Sequence, residues 1–305
     1  MKRPGSGDCV LGLAMLLGAA AGCSTPPPGT FATPEEAMQA IHDLAGEGHQ
    51  HTAVELFGPG GVELLRSGDE IADREDRQKV LEDITEKVAF EGDDNRKVAL
   101  FGNDGWPFPI PLVRDNDRWR FDAEAGREEL ENRRVGRNEL MTLATLHAYV
   151  DAQREYASMG RDGKPPAFAQ KLISAEGLHD GLYWPTAEGE PESPIGPLVA
   201  AAAQEGYQHV DGEPIPFHGY YYRGLRAQGK NAPGGARNYV DRKGLMTVGF
   251  GVLAWPAKYG KSGIMTFLVD RQGIVFQKDL GPDTTSEVVG IAAYDPDDSW
   301  DPTGD

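Results

Sequence analysis

The stretch GFGVLAWPAKYGKSGIMTFLVDRQGIVF, Gly249 to Phe276, contains apolar runs separated by short polar segments. Its last polar segment, Asp270 to Gly273, puts a glycine where a tight turn needs a positive φ, so the flanking runs predict a β-hairpin. Similar patterns lie upstream, and together they predict an antiparallel sheet of four strands. The predicted strands cover residues 218–228, 245–257, 264–271 and 274–280.

A long helical pattern precedes this sheet, over residues 133–159. Leu143, Leu146 and Val150 recur on one face, which predicts that the helix packs on the sheet. One long helix, an irregular connection and four antiparallel strands resemble the globular domain of type IV pilins. The resemblance implies a pilin-like domain that does not polymerise, because charged residues such as Arg133 stand where a pilin continues its hydrophobic helix.

The N-terminal half begins with a clear helix signal, TPEEAMQAIHDLA. Thr33 can act as the N-cap, Pro34 suits the first turn, and Glu36 completes a capping box. Further helical segments follow, until the hydrophobic period changes from 3.6 to 2 in KVALFG and WPFPIPLVRDNDRWRFD. These two segments predict strands.

Three alternating prolines, Pro107, Pro109 and Pro111, mark the segment WPFPIPLV. Residues two apart in a strand direct their N–H groups to the same edge, so the prolines predict an edge strand. The segment after them predicts a hairpin that turns at residues 115–117. Helices followed by a small curved sheet resemble the cone-shaped fold of the nuclear transport factor 2-like superfamily. The predicted fold class is α+β, with two domains.

The first 22 residues are typical of a bacterial export signal. A basic N-terminus precedes CVLGLAMLLGAAAG, which is shorter than the about 20 residues that a membrane-spanning helix needs. Residues 20–23, AAGC, resemble the lipobox of bacterial lipoproteins, in which the cysteine is lipidated. Because Ser24 follows Cys23, we expect a lipid anchor at Cys23 on the periplasmic side of the outer membrane. Ordinary signal cleavage, which would give a soluble periplasmic protein, is the alternative.

Composition restricts the partners and the chemistry. The formal net charge of −18 argues against a nucleic-acid partner. Of the two cysteines, Cys9 lies in the signal peptide and Cys23 is the expected lipidation site, so no free thiol remains and thiol catalysis and cysteine-ligated zinc are not expected. Residues Gly260 to Ser262 resemble the end of a phosphate-binding loop, but Trp255 stands where its first glycine is required. We therefore expect a tight loop between strands and no nucleotide.

No motif specifies a reaction, a metal or a cofactor, and none of these is predicted. His147 and Asp151 lie one helical turn apart and would suit an acid–base pair. A solvated or salt-bridged helix face is the alternative that we favour for them.

The candidate binding surface consists of aromatic residues and one histidine. His218 stands at the start of a predicted strand whose alternation would direct Tyr221 into the core and Tyr220 and Tyr222 to the surface. Trp184, in the segment GLYWP, is expected to join this surface.

Charged residues mark the predicted junction of the two domains. They are Arg133, Arg134, Arg137 and Glu139. We expect them to form an interdomain ion-pair network, and a substrate clamp is the alternative.

Several segments together resemble the bacterial domain-of-unknown-function family 2950. They include GNDGWPFPIPLV, GLYWP, HGYYYR, PGGARNYV and GFGVLAWPAKYGKSGIMTFLVD, and the resemblance covers about residues 31–301. The family contains exported bacterial proteins, so the resemblance implies export and adds no chemistry.

These patterns divide the chain into a signal peptide, a tether, an N-terminal α+β domain, a C-terminal pilin-like α+β domain and an acidic tail. The segments are residues 1–22, 23–33, 34–130, 131–294 and 295–305. The expected function is that of an exported envelope lipoprotein, a non-catalytic binding or scaffold module for an envelope protein. The alternative is a small-ligand-binding protein or an enzyme with a pocket in the N-terminal domain or at the domain seam.

The lipobox predicts a defined chemical form of the mature N-terminus. We expect mass spectrometry of the protein from bacterial membranes to show a chain that begins at Cys23 and carries acyl groups. The variant Cys23→Ser should lose the acyl mass and enter the soluble fraction. A wild-type N-terminus that is cleaved but free of lipid would contradict the prediction.

Overall fold

The computed structural model describes residues 27–47, 50–66, 70–158, 165–186, 192–199 and 216–304. The predicted signal peptide and Cys23 lie outside these residues. The N-terminal half starts with a short strand and four helices. They are β1 (Thr30–Phe31), α1 (Pro34–Glu47), α2 (Gln50–Phe57), α3 (Gly61–Leu64) and α4 (Glu70–Glu86).

Helix α1 forms as the capping signal predicts. The Thr33 hydroxyl oxygen accepts the N–H of Glu36 at 3.3 Å, and the Glu36 carboxylate accepts the N–H of Ala32 at 2.8 Å. Because the helix is anchored in this way, its apolar stripe faces the N-terminal core. The buried members of the stripe are Ala37, Met38, Ile41 and Leu44.

The N-terminal sheet has the order β1-β6-β5-β3-β2, and β4 also pairs with β3. Its remaining strands are β2 (Val88–Gly92), β3 (Arg96–Phe101), β4 (Trp106–Pro107), β5 (Leu112–Asp115) and β6 (Arg118–Phe121). The hairpin β5–β6 turns at Asn116 and Asp117, which both have positive φ, as predicted from the sequence.

The proline-rich segment does not form one long edge strand. Trp106 and Pro107 pair with the end of β3, the N–H of Phe108 donates to the Ala99 carbonyl at 2.7 Å, and β5 then pairs with the start of β3. Strand β5 lies between β3 and β6, so it is an interior strand. The edge-strand prediction is therefore wrong from Leu112 onwards, because β6 pairs with the other edge of β5.

Helix α5 (Ala123–Ser158) follows β6 directly and has 36 residues. It begins at Ala123 rather than at Arg133, because Asp122 caps it: the Asp122 carboxylate accepts the N–H of Ala125 at 3.3 Å. Near its start the helix lies close to the N-terminal core, since a Cβ at Gly126 would be 2.7 Å from a side-chain carbon of Ile110. The predicted domain boundary, between residues 130 and 131, falls within this helix.

The C-terminal sheet has the order β15-β14-β13-β12-β9, and all its neighbouring strands are antiparallel. Its strands are β9 (Tyr220–Leu225), β12 (Gly251–Pro256), β13 (Met265–Asp270), β14 (Val275–Asp279) and β15 (Asp301–Pro302). Two smaller pairs accompany it: β7 (Lys171–Ile173) with β8 (Gly181–Tyr183), and β10 (Ala227–Gln228) with β11 (Arg237–Asn238). A short helix, α6 (Thr284–Glu287), follows β14.

Both faces of this sheet are covered. Leu146 and Val150 of α5 pack with Val252 and Phe267 on one face. The other face carries a separate cluster that contains Leu225, Leu253, Leu268, Val288 and Tyr294. Neighbouring residues of β12 and β13 therefore enter different cores, which explains why these strands read as continuous apolar runs.

The predicted acidic tail is partly folded. Strand β15 extends the sheet by pairing with Phe276 and Gln277. The N–H of Thr303 donates to the Val275 carbonyl at 3.0 Å. Trp300 packs against the cluster that contains Leu253 and Leu268. The described helices and antiparallel sheets confirm the predicted α+β class.

Substitutions on the buried and the exposed face of α5 should differ in their effect on stability. Leu146 is fully buried, so Leu146→Ala should lower the free energy of unfolding by about 2–5 kcal/mol in chemical denaturation. Leu140, on the same helix, is 68% exposed, so Leu140→Ala should change it by less than about 0.5 kcal/mol. Equal effects of the two substitutions would contradict the orientation of the helix.

Candidate functional site

The charges of the predicted seam contact different parts of the chain. Arg137 binds Asp76 of α4 through two parallel hydrogen bonds, of 2.6 and 2.9 Å. Arg134 is partly buried, and this burial lowers its pKa, while Asp73 and Asp76 act in the opposite direction. These contacts fix α5 against α4.

Arg133 lies against the proline-rich segment. Its guanidinium donates to the Pro107 carbonyl at 2.7 Å and to the Glu129 carboxylate at 2.6 Å. Its central carbon is 5.0 Å from the centre of the Trp106 ring, within cation–π range. Arg133 therefore holds β4 on α5.

Glu139 has a different role from the three arginines. Its carboxylate accepts the N–H groups of Ile264 and Met265 at 2.9 and 3.0 Å. The Tyr220 hydroxyl lies 3.4 Å from the same oxygen and 3.0 Å from the Met265 carbonyl. Glu139 therefore fixes the start of β13 to α5.

The loop at Gly260 to Ser262 is a tight connection between β12 and β13. The Ser262 hydroxyl accepts the N–H of Lys258 at 2.9 Å, and the Ser262 carbonyl accepts the amide of buried Asn138 at 2.9 Å. A strand follows this loop, whereas a phosphate-binding loop leads into a helix.

The predicted binding surface is not assembled. Tyr220, expected at the surface, is fully buried and packs between α5 and the sheet. Tyr222 faces the same core, and burial raises its pKa to about 12. Tyr221, expected in the core, is partly exposed on the opposite face, where its ring lies 5.7 Å from that of Trp255. The predicted alternation of the tyrosines between the two faces of β9 is correct, but each tyrosine lies on the face opposite to the one predicted.

The other two members of that surface are also separated. Trp184 is buried in a third cluster, with its ring 4.5 Å from that of His179. His218 is partly exposed, has a φ of 48°, and stacks 4.1 Å from the Phe217 ring. Of the four candidates, His218 and Tyr222 are partly exposed, whereas Tyr220 and Trp184 are buried.

Of the pair His147 and Asp151, the aspartate belongs to a structural network. The Asp151 carboxylate accepts from Arg154 at 3.2 Å. Arg154 also donates to the carbonyls of Arg271 and Gln272 at 3.1 and 3.2 Å, and so ties α5 to the turn between β13 and β14. This arrangement fits a salt-bridged helix face better than an acid–base pair.

An exposed apolar stripe on α5 was missed by the sequence analysis. Leu140 is 68% and Met141 45% exposed, and Ala144 is exposed one turn further on. Arg133 and Arg137 precede them at helical spacing on the same side. We call the three apolar residues, Leu140, Met141 and Ala144, the α5 face. The spacing alone was a usable signal, because these residues lie opposite Leu146 and Val150 on a helical wheel.

A buried polar cluster at the far end of the sheet was also missed. Asp270, at the end of β13, is only 4% exposed, and burial raises the pKa of its carboxyl. Tyr239 and Tyr294 are buried nearby, and burial together with Asp270 raises the pKa of both hydroxyls. Arg237 and Arg271 act on Asp270 in the opposite direction. No local motif indicates this cluster, because its members come from separate segments.

Two general findings concern the described residues. Within these ranges, no group of three or more His, Cys, Asp or Glu side chains is placed to hold a metal ion. None of the helices described combines the length and the apolar composition that crossing a membrane requires.

The fold and these contacts define a mixed α+β protein in which one helix joins two sheets. The family described as Protein of unknown function (DUF2950) matches residues 29–303, so the chain belongs to this family, as the sequence resemblance predicted. No curated protein and no solved structure matches the chain significantly.

The raised pKa of Asp270 predicts how stability depends on pH. A folded-state pKa above the unfolded value means that the unfolded chain releases this proton first, so this contribution to stability is lost as pH rises. Asp270→Asn keeps an oxygen for the N–H of Gln272 and removes the buried charge. The melting temperature of Asp270→Asn minus that of the wild type should therefore be larger at pH 8 than at pH 4.

Asp93 provides a control of opposite sign. The N–H groups of Asn95 and Arg96 bind its carboxylate and lower its pKa, so its contribution to stability is present above about pH 4 and is lost as pH falls below it. The melting temperature of Asp93→Asn relative to the wild type should therefore be lower at about pH 6 than at about pH 3. If both variants shift in the same direction, the buried environment of Asp270 is not the cause.

Proposed function

We propose that this protein is an exported envelope lipoprotein that acts as a non-catalytic binding or scaffold module, with the α5 face as its docking surface for an envelope protein. The observation that carries the proposal is the exposure of Leu140 and Met141 in the middle of a helix whose opposite side is buried in the C-terminal core. Large exposed apolar side chains that lie together on a rigid element favour a protein contact.

The surroundings of the α5 face support this proposal. Arg137 is held by Asp76, and Arg133 is held by Glu129 and the Pro107 carbonyl, so the residues before the face are fixed. Beyond the face, Leu146 packs in the C-terminal core. A surface held on both sides loses little conformational entropy when a partner binds.

The start of the fold is compatible with a lipid anchor. Thr30 begins β1, which pairs with β6, and the Thr30 hydroxyl donates to the Pro27 carbonyl at 2.7 Å. Six residues lie between Cys23 and Thr30, so the seven Cα–Cα steps from a lipid at Cys23 to the sheet would have an extended reach of roughly 25 Å. This short connection would keep the N-terminal sheet near the membrane surface.

The proposal also includes the fold relationships of the two halves of the chain. The second half of α5 packs on an antiparallel sheet whose four longest strands follow chain order, which supports the pilin-like arrangement. The helices before the N-terminal sheet support the nuclear transport factor 2-like arrangement. Neither arrangement implies polymerisation or catalysis for this chain.

A photocrosslinking amino acid at Ala144 tests the docking surface in intact cells. We expect one discrete crosslinked product, because Ala144 is exposed within the α5 face. Adding Leu140→Asp should weaken that product at least about tenfold, since it places a charge in an apolar contact. The melting temperature should hardly change, because Leu140 is exposed.

Val289→Asp is the matched control, since Val289 is 74% exposed and lies outside the α5 face. It should leave the crosslinked product unchanged. A product of twice the chain mass would identify a second copy as the partner. If no discrete product forms, or if both aspartate substitutions weaken it equally, the α5 face is not the docking surface.

A further inference from the structure

A group of exposed cations lies on the chain segments that meet at the buried Asp270 cluster, and two of them, Arg237 and Arg271, act on Asp270 electrostatically. In the part of the chain that the structure describes, none of them forms an ion pair within 4.0 Å of a carboxylate. We call this group the cationic rim. Its members are Arg226, Lys230, Arg237, Arg242, Lys243 and Arg271.

Backbone pairing brings these residues together from three segments. Strands β10 and β11 pair Gln228 with Arg237, and the N–H of Tyr239 donates to the Arg226 carbonyl at 2.9 Å. From the third segment, Arg271 donates to the Val248 carbonyl at 3.0 Å. The three segments therefore meet at one end of the sheet.

Gly249 shows how closely Arg271 and Tyr239 approach each other. A Cβ at Gly249 would lie 2.9 Å from the Tyr239 ring and 3.5 Å from a side-chain carbon of Arg271. Only a glycine leaves room for both side chains at this position. Arg271 is therefore placed beside the buried tyrosine.

The glycine-rich loop that carries Lys230 is fixed in shape. Buried Gln228 donates from its side-chain amide to the carbonyls of Pro233 and Gly235, each at 2.8 Å. The Asp295 carboxylate accepts the N–H of Asn231 at 2.7 Å. The loop would therefore need little rearrangement to present its cation to a ligand.

The acidic groups near the rim are occupied by the fold. The Asp241 carboxylate accepts the N–H groups of Lys243 and Leu245 at 2.8 and 2.9 Å, and Asp295 holds the glycine-rich loop. Asp270 is buried. Asp297 also lies near Lys230, and its carboxylate accepts the N–H of Ser299. The six cations still outnumber these four carboxylates, so the rim is a local positive surface on a chain whose formal net charge is −18.

A second observation also points to a ligand at the rim. The Tyr239 side chain is 1% exposed, and its hydroxyl has no hydrogen-bond partner among the described residues. Buried hydroxyl groups without a partner are rare. Among the nearby charges Asp270 acts most strongly on this hydroxyl, and Arg237 and Arg271 act on it with the opposite sign, so the donor without a partner lies beside two arginines of the rim.

We propose that the cationic rim binds a linear anionic polymer that carries carboxylate or phosphate groups. Six cations from three segments exceed what a single small anion can contact, whereas a chain of repeated anionic groups can contact them in turn. Arginine suits both groups, because its planar guanidinium donates two parallel hydrogen bonds to either one. This binding site is independent of the α5 face and of its proposed partner.

Fluorescence anisotropy with labelled polygalacturonate and labelled polyphosphate tests the proposal on the mature chain. The two probes distinguish carboxylate from phosphate as the recognised group. We expect at least one to bind at about 0.15 M salt and to weaken steeply as salt is raised, because binding releases counterions. If neither probe binds, the proposal is overturned.

The double variant Arg237→Ala with Arg271→Ala should weaken binding at least about tenfold. The matched control is Lys258→Ala with Lys261→Ala, which removes the same charge from the opposite end of the same sheet. It should keep nearly the wild-type affinity. Equal losses in the two double variants would show that only net charge matters and would overturn the assignment to the rim.

Two further measurements complete the test. Arg242→Gln with Lys243→Gln, at the tip of an exposed turn, should weaken binding even if loss of the Arg271 contact disturbs folding. Tighter binding of duplex DNA than of either polymer would overturn the proposed ligand class. A doubling of mass in sedimentation that depends on the rim would also overturn it, because a second copy of this acidic chain would then be bound at the rim.

Discussion

The continuity of helix α5 is the constraint on which the rest of the structure depends. Its first turns pack against the N-terminal core through Gly126 and Leu130, and its second half supplies Leu146 and Val150 to the C-terminal core. The two cores share a single rod of 36 residues. A helix keeps its shape only while each backbone hydrogen bond is supported, so neither core can move along α5 without breaking contacts of its own.

Polar contacts in the middle of α5 fix how the C-terminal sheet sits on it. Asn138 holds the carbonyl of Ser262, and Glu139 holds the N–H groups at the start of β13. Near the other end of β13, Arg154 holds the carbonyls of the following turn. The strand is therefore attached to the helix at both ends. These contacts also explain the loop at Gly260 to Ser262. Its sequence resembles part of a phosphate-binding motif, but in the structure it connects β12 to β13.

Much of the architecture could be predicted because it depends on local patterns. The capping residues of α1 satisfy the helix's own N–H groups, and the apolar period distinguishes its buried face. The paired strands β13 and β14 follow from a turn glycine between two apolar runs. By contrast, the direction in which Tyr220 and Tyr221 point could not be predicted. Period 2 gives the alternation but not the face that is covered, and in this sheet both faces are covered.

The sequence by itself determined the α+β class, the helix boundaries near strong caps, the main hairpins and the family, since all of these are written in neighbouring residues. Only the tertiary structure decided that α5 joins both cores, that the chain after Asp295 returns to the sheet, and that Asp270, Tyr239 and Arg237 meet at one end of it. The physical reason is the same in each case. These contacts join residues far apart in sequence, and their positions depend on which surfaces remain uncovered once the local elements have formed.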